Sequence, residues 1–180
     1  NQQSNAVIDF LRLLWIGLWC SEPYYQHQNL FERRYQTFKR TVNRLMDRTN
    51  SPPEAWYLCI LYVGYIFNRV SDPTLDHRQP HFVATGDIAD ISPILQFSWM
   101  EPVYYKLHTY QFPSSSDEAL GYWVGVAEHV GHQMTYRIWN RTTNKIVDRS
   151  SIRSAVDTSL HNHRAEDSIQ SIRGRAESVL

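Results

Sequence analysis

The sequence predicts an α+β chain, with helices first and short strands after. Three observations lead there. Apolar residues recur at spacings of three and four through about residue 71. Pro, Asn and Ser interrupt that pattern at two points. Beyond about residue 97, short runs rich in Tyr, Val, Ile and Trp alternate with Gly, Asn and Ser, the pattern of strands and turns.

Helix one is expected from about Ser4, with Val7, Ile8, Leu11, Leu14, Trp15 and Leu18 at helical spacing. Gly17 and the run Ser21-Glu22-Pro23 end it. Helix two is expected to start near Asn29, a suitable N-cap. Its apolar stripe is Phe31, Tyr35, Phe38, Val42 and Leu45, and Asn50, Ser51, Pro52 and Pro53 break it. Ser51 reads as the N-cap of helix three, with Pro52 and Pro53 in the first turn and Glu54 at the capping-box position. Helix three should run to about Arg69. It is apolar nearly all round, as a buried central helix would be.

Residues 72–96 read as a connector, with Pro73, Pro80, Gly86 and Pro93 and little periodicity. Strands are expected at 102–107, 119–127, 134–139 and 145–149, the last two joined by a hairpin through Asn140 to Asn144. Gly121, Gly125 and Gly131 suggest the bends of a small barrel over residues 97–155. Trp99, Tyr104, Tyr105, Trp123 and Trp139 suit its core better than a base-stacking surface. Residues 156–180 are polar and read as a flexible tail.

Composition restricts the function. The chain has 180 residues, 18 basic and 18 acidic, and no net charge. Attraction to nucleic acid would therefore have to come from local clusters. One exists: residues 28–48 hold six basic and two acidic side chains. Cys20 and Cys59 lie in apolar helical context and read as buried free thiols. His27, His77 and His81 lack a Cys-x-x-Cys partner, so no zinc site is expected. The uncharged run 55–68 is too short to span a bilayer, so no membrane association is expected. Asn140-Arg141-Thr142 is a glycosylation sequon, which should stay unmodified without secretion. The first residue is Asn and no signal peptide is visible, so the chain reads as an internal piece of a longer protein.

Glu32 is the residue on which chemistry would turn. It opens helix two, and Gln36, Lys39 and Asn43 follow on the same face, with Arg33, Arg40 and Arg44 beside them. Taken alone, these residues suit a solvated helix whose first-turn carboxylate is favoured by the macrodipole.

Their surroundings say more. The runs PYYQHQNLFERRYQTFKR and PPEAWYLCILYVGYIFNR resemble the region around the third acidic residue of the Asp-Asp-Glu integrases, in particular those of copia-type LTR retrotransposons. The resemblance covers roughly residues 5–155. It implies the helical C-terminal part of a ribonuclease H-like catalytic core over residues 1–71. It also implies a small SH3-like β-barrel over residues 97–155, on the matches EALGYWVGVAEH, TYRIWN and NKIVDRSSIRSA.

The implied parent activity is DNA integration, by in-line attack of a DNA 3′ hydroxyl on a phosphodiester. Two Mg2+ ions would be held by two Asp and one Glu. Glu32 matches the Glu, both as catalytic residue and as metal ligand. His27, Gln28 and Asn29 match the active-site loop. Gln36, Lys39, Arg40, Asn43 and Arg44 match a DNA-tracking face, although relatives often carry Lys where Gln36 stands. The implied partners are DNA, an upstream integrase segment and further copies in the parent. The implied location is the nucleus or a virus-like particle. Asp9 is the one Asp before Glu32, and it lies on the polar side of helix one, not at a strand end. Neither catalytic Asp is therefore expected here, and the chain should be catalytically incomplete alone. A non-catalytic DNA- or protein-binding module derived from a transposon is the alternative reading.

Overall fold

The computed structural model describes residues 5–15, 30–131 and 134–166. It forms two compact units, Asn1–Arg40 and Thr41–Leu180. His27, Gln28, Asn29 and Cys20 lie outside the described residues, as does the end expected for helix one.

In the first unit, α1 spans Asn5–Leu13. Arg12 sits 3.6 Å from Asp9, one turn away. The helical pattern stops sooner than the apolar spacing suggests: Trp15 has φ 55, a left-handed conformation that breaks the helix. Helix α2, Leu30–Thr49, begins in this unit and continues into the second. Asn50, with φ 48, ends α2, and the Ser51 amide bonds back to the Met46 carbonyl. Asn tolerates this left-handed C-terminal position better than most residues.

The second unit begins by departing from the expected cap. Pro53–Ala55 forms a 3-10 turn, and α3, Trp56–Arg69, follows with no side-chain cap bond at either N-cap. Ser51 is not the N-cap. Its hydroxyl instead accepts from Trp99 Nε1 at 2.9 Å and lies 2.7 Å from Thr49 Oγ1. Glu54 is exposed in the 3-10 turn. Nor is α3 buried all round. Cys59, Tyr62 and Val63 face inward, while Trp56, Tyr57 and Leu61 are exposed. Cys59 is a free buried thiol, 3.8 Å from the Val42 carbonyl, and burial pushes its pKa up to about 11.

The connector holds more structure than its composition suggests. Buried Asp72 accepts from the Thr74 amide at 2.8 Å and the Thr74 hydroxyl at 2.7 Å, capping a 3-10 turn at Pro73–Leu75. Helix α4, Pro80–Thr85, closes on Gly86, whose φ is 84. A further 3-10 turn follows at Ser92–Ile94. These are local side-chain and proline caps, which leave no hydrophobic period to read.

Five antiparallel strands form one sheet: β1 Pro102–Lys106, β2 Glu118–Val126, β3 Tyr136–Asn140, β4 Lys145–Arg149 and β5 Ile152–Ser154. Their order is β4-β3-β2-β1-β5. The β3–β4 turn is as expected. Asn140 Oδ1 accepts from the Thr142 and Thr143 amides, and Asn144 Oδ1 accepts from Trp139 Nε1.

The sheet does not close into a barrel, because β4 and β5 remain its two edges. Yet only Ser150 and Ser151 join those edges. A flat five-strand sheet would separate its edges by about 19 Å. The three Cα steps from Arg149 to Ile152 reach about 11 Å at most. The sheet must therefore curl, and the Arg149 guanidinium donates to the Lys106 carbonyl at 3.2 Å across the gap. A register shift between Trp123 and Gly125, with Gly125 at φ 137, adds to the bend.

The expected aromatics pack inside. Tyr62 of α3 stacks on Trp99 at 5.2 Å and meets Trp123 edge-on at 5.3 Å. Trp99, Tyr104, Tyr105, Trp123 and Trp139 are all buried. Tyr104 joins Ala155 and Ala165 in a further cluster, with Leu120 against it. That cluster corrects the flexible-tail expectation for residues 156–166. Ala165 is buried, the Asn162 amide donates to Tyr104 Oη, and Tyr104 Oη donates to Glu166.

Candidate functional site

Helix α2 carries every described residue of the sequence-predicted site. Its first turn contains Glu32, where the macrodipole favours a carboxylate. Glu32 is half-buried, whereas Arg33, Arg34, Gln36, Lys39 and Arg40 are exposed. Lys39 Nζ lies 5.5 Å from the centre of the Tyr35 ring, a cation–π contact that orients the ammonium without neutralising it. The Thr37 hydroxyl donates to the Arg33 carbonyl at 3.1 Å. Phe31 and Tyr35 are exposed despite belonging to the apolar stripe.

In the second unit, Val42 is buried while Asn43, Arg44 and Arg48 are exposed. The helix therefore presents cationic groups to solvent in both units, the Lys39 ammonium and guanidinium groups in the first and guanidinium groups alone in the second. Such groups recognise phosphate without reading sequence.

A metal centre needs more than this helix supplies. Mg2+ takes hard oxygen ligands in octahedral geometry. Among the described residues, no three His, Cys, Asp or Glu side chains come together to hold an ion. Asp9 is exposed on α1 beside Arg12. One carboxylate at position 32 does not make a metal site. No described helix is long and apolar enough to cross a membrane.

Two ionic clusters escaped sequence reasoning. Arg69 Nη2 donates to Glu128 at 2.7 Å, and its guanidinium lies 3.5 Å from the Tyr65 ring centre. Arg153 grips Glu118 with two bonds, of 2.9 and 2.7 Å. The partners are 59 and 35 residues apart, so no local pattern signals either pair.

No family model matches the chain, and no curated protein matches it in sequence.

Proposed function

We propose that this chain is part of a copia-type integrase: the last helices of a ribonuclease H-like core, followed by a small SH3-like domain. Its role is DNA binding within DNA integration. The exposed cationic surface of α2, with a carboxylate in its first turn, carries this reading. The β region adds support, since a curled five-strand meander whose edges are joined by two residues is compatible with an SH3-like domain. In the intact parent, Glu32 would supply the third carboxylate and two strand-borne aspartates the others. Metal-assisted transfer is a property of that assembly and not of these 180 residues.

Lys39, Arg40 and Arg44 do the binding in this proposal, by contacting phosphates and releasing counterions. Fluorescence anisotropy of labelled duplexes of unrelated sequence tests it. The chain should bind them alike, with affinity falling steeply as salt rises. Replacing Lys39, Arg40 and Arg44 by Ala should weaken binding to all of them and flatten the salt slope by about three. Unchanged affinity in this triple variant, with loss of binding on changing residues 97–153, would move the DNA face to the sheet. That outcome would favour the binding-module alternative.

A further inference from the structure

Two cavities meet at Arg69. One, of about 670 Å3, lies beside the end of α3 and is walled by Ile66, Val70, Phe82, Ile91, Ile94 and Leu95. The other, of about 750 Å3, reaches the loop after β2, and its lining carries Asp87, Asp90 and Glu128. Arg69 and Ile88 line both.

The apolar half is unusual for a surface. Val70, Ile88, Ile91 and Leu95 are 51%, 79%, 42% and 76% exposed. Grouped exposure of large apolar side chains around a concavity marks a binding surface more often than scattered exposure does. The polar half carries negative charge. Glu128 is paired with Arg69, and Asp87 and Asp90 add two further carboxylates. The Ser92 amide bonds Asp90 at 2.9 Å, and this bond holds its carboxyl below the usual range. Arg69 itself is fixed between Glu128, the Tyr65 carbonyl and the Tyr65 ring, and so forms a rigid wall between the halves. At the apolar rim, Arg78 is paired with Asp76 at 3.2 Å, so that end adds little uncompensated charge.

We propose that this double groove docks a linear segment of a partner protein that carries two or three apolar side chains next to a Lys/Arg cluster. The apolar side chains enter between Ile66, Phe82 and Leu95, and the cationic end lies over Asp87 and Asp90. Apolar burial supplies affinity and charge complementarity fixes the direction of the segment. This inference does not rest on the DNA-binding reading.

The full chain tests it, with no nucleic acid present, against two fluorescein-labelled peptides. The first has the order leucine, phenylalanine, isoleucine, glycine, lysine, arginine, lysine. The second replaces its three cationic residues by glutamates. The cationic peptide should bind at least about ten-fold more tightly than the anionic one, as the reversal of several exposed charges implies. Leu95→Asp should weaken both peptides. Asp87→Lys should weaken the cationic peptide and strengthen the anionic one. Both side chains are exposed, so neither change threatens the fold, which circular dichroism checks. Failure of the cationic peptide to bind, equal binding of the two peptides, or indifference to both substitutions would each overturn the proposal.

Discussion

Arg153 on β5 and Glu118 on β2 form a two-bond ion pair that passes over β1. The guanidinium also lies 4.4 Å from the centre of the Tyr104 ring. Strand β5 pairs with β1 through only three residue pairs, so this side-chain bridge is a second tie for an edge strand. The Arg153 hydrogen bonds hold the Glu118 carboxyl below the usual range, aided by Asn162.

The first prediction is that Glu118→Gln destabilises the second unit by about 1 kcal/mol at pH 7, the scale of a partly exposed bidentate pair. A depressed folded-state pKa contributes stability that is present above the unfolded carboxylate value. That stability is lost as pH falls through the folded value. The difference between wild type and Glu118→Gln should therefore shrink on acidification below about pH 4, near the unfolded Glu pKa. Urea melts at pH 7 and pH 3 measure it. An equal difference at both would mean that the pair contributes nothing through charge.

The second prediction concerns Gly121. A Cβ there would collide with Ile138 Cγ2 and stand 3.2 Å from Tyr105 Cε1. Both neighbours are buried, so neither can move away cheaply. Gly121→Ala should cost about 1–3 kcal/mol by overpacking. Gly86→Ala faces open space, but φ +84 strains any side chain, at about 1 kcal/mol. Thermal melts that rank Gly86→Ala as the more harmful would contradict the packing at β2.

Ser51 gives the third prediction. Ser51→Ala leaves buried Trp99 Nε1 without its acceptor, at a cost of about 1–2 kcal/mol. Glu54→Ala should cost almost nothing, because Glu54 makes no cap bond. The reverse ranking in denaturant melts would restore the capping-box reading.

That contrast also shows what the sequence can and cannot reveal. Helix α2 and strand β4 were legible because their signals are local: a stripe at helical spacing, and an alternating run behind an Asn-bounded turn. The Ser51 cap was wrong because the hydroxyl's partner, Trp99, lies 48 residues away. Strand β5 is not separated from β4 within the run NKIVDRSSIRSA, because three residues become a strand of their own only when β1 is beside them. Residues 156–166 look like solvated tail by composition, yet Ala165 and Glu166 find Tyr104. For the site, the exposure of Lys39, Arg40 and Arg44 follows from helical phase. The groove around Arg69 follows from long-range packing and leaves no trace in any local window.

The last prediction tests the proposed ancestry at Glu32. In a longer chain, joined in frame to a segment that supplies two strand-borne aspartates, three carboxylates would converge where α2 begins. Two ions could then take the positions that in-line transfer requires. Glu32→Gln keeps the shape and removes the charge, so ion binding and metal-dependent joining of a labelled DNA end should both collapse, by more than the roughly 10–100-fold cost of losing a group that only supports a metal ligand. Glu54→Gln is the matched control, since that side chain is exposed and uncapped and its loss should leave joining intact. The 180-residue chain alone should join no DNA with either magnesium or manganese. Full joining by the Glu32→Gln variant of the longer protein would show that this residue is not the third ligand.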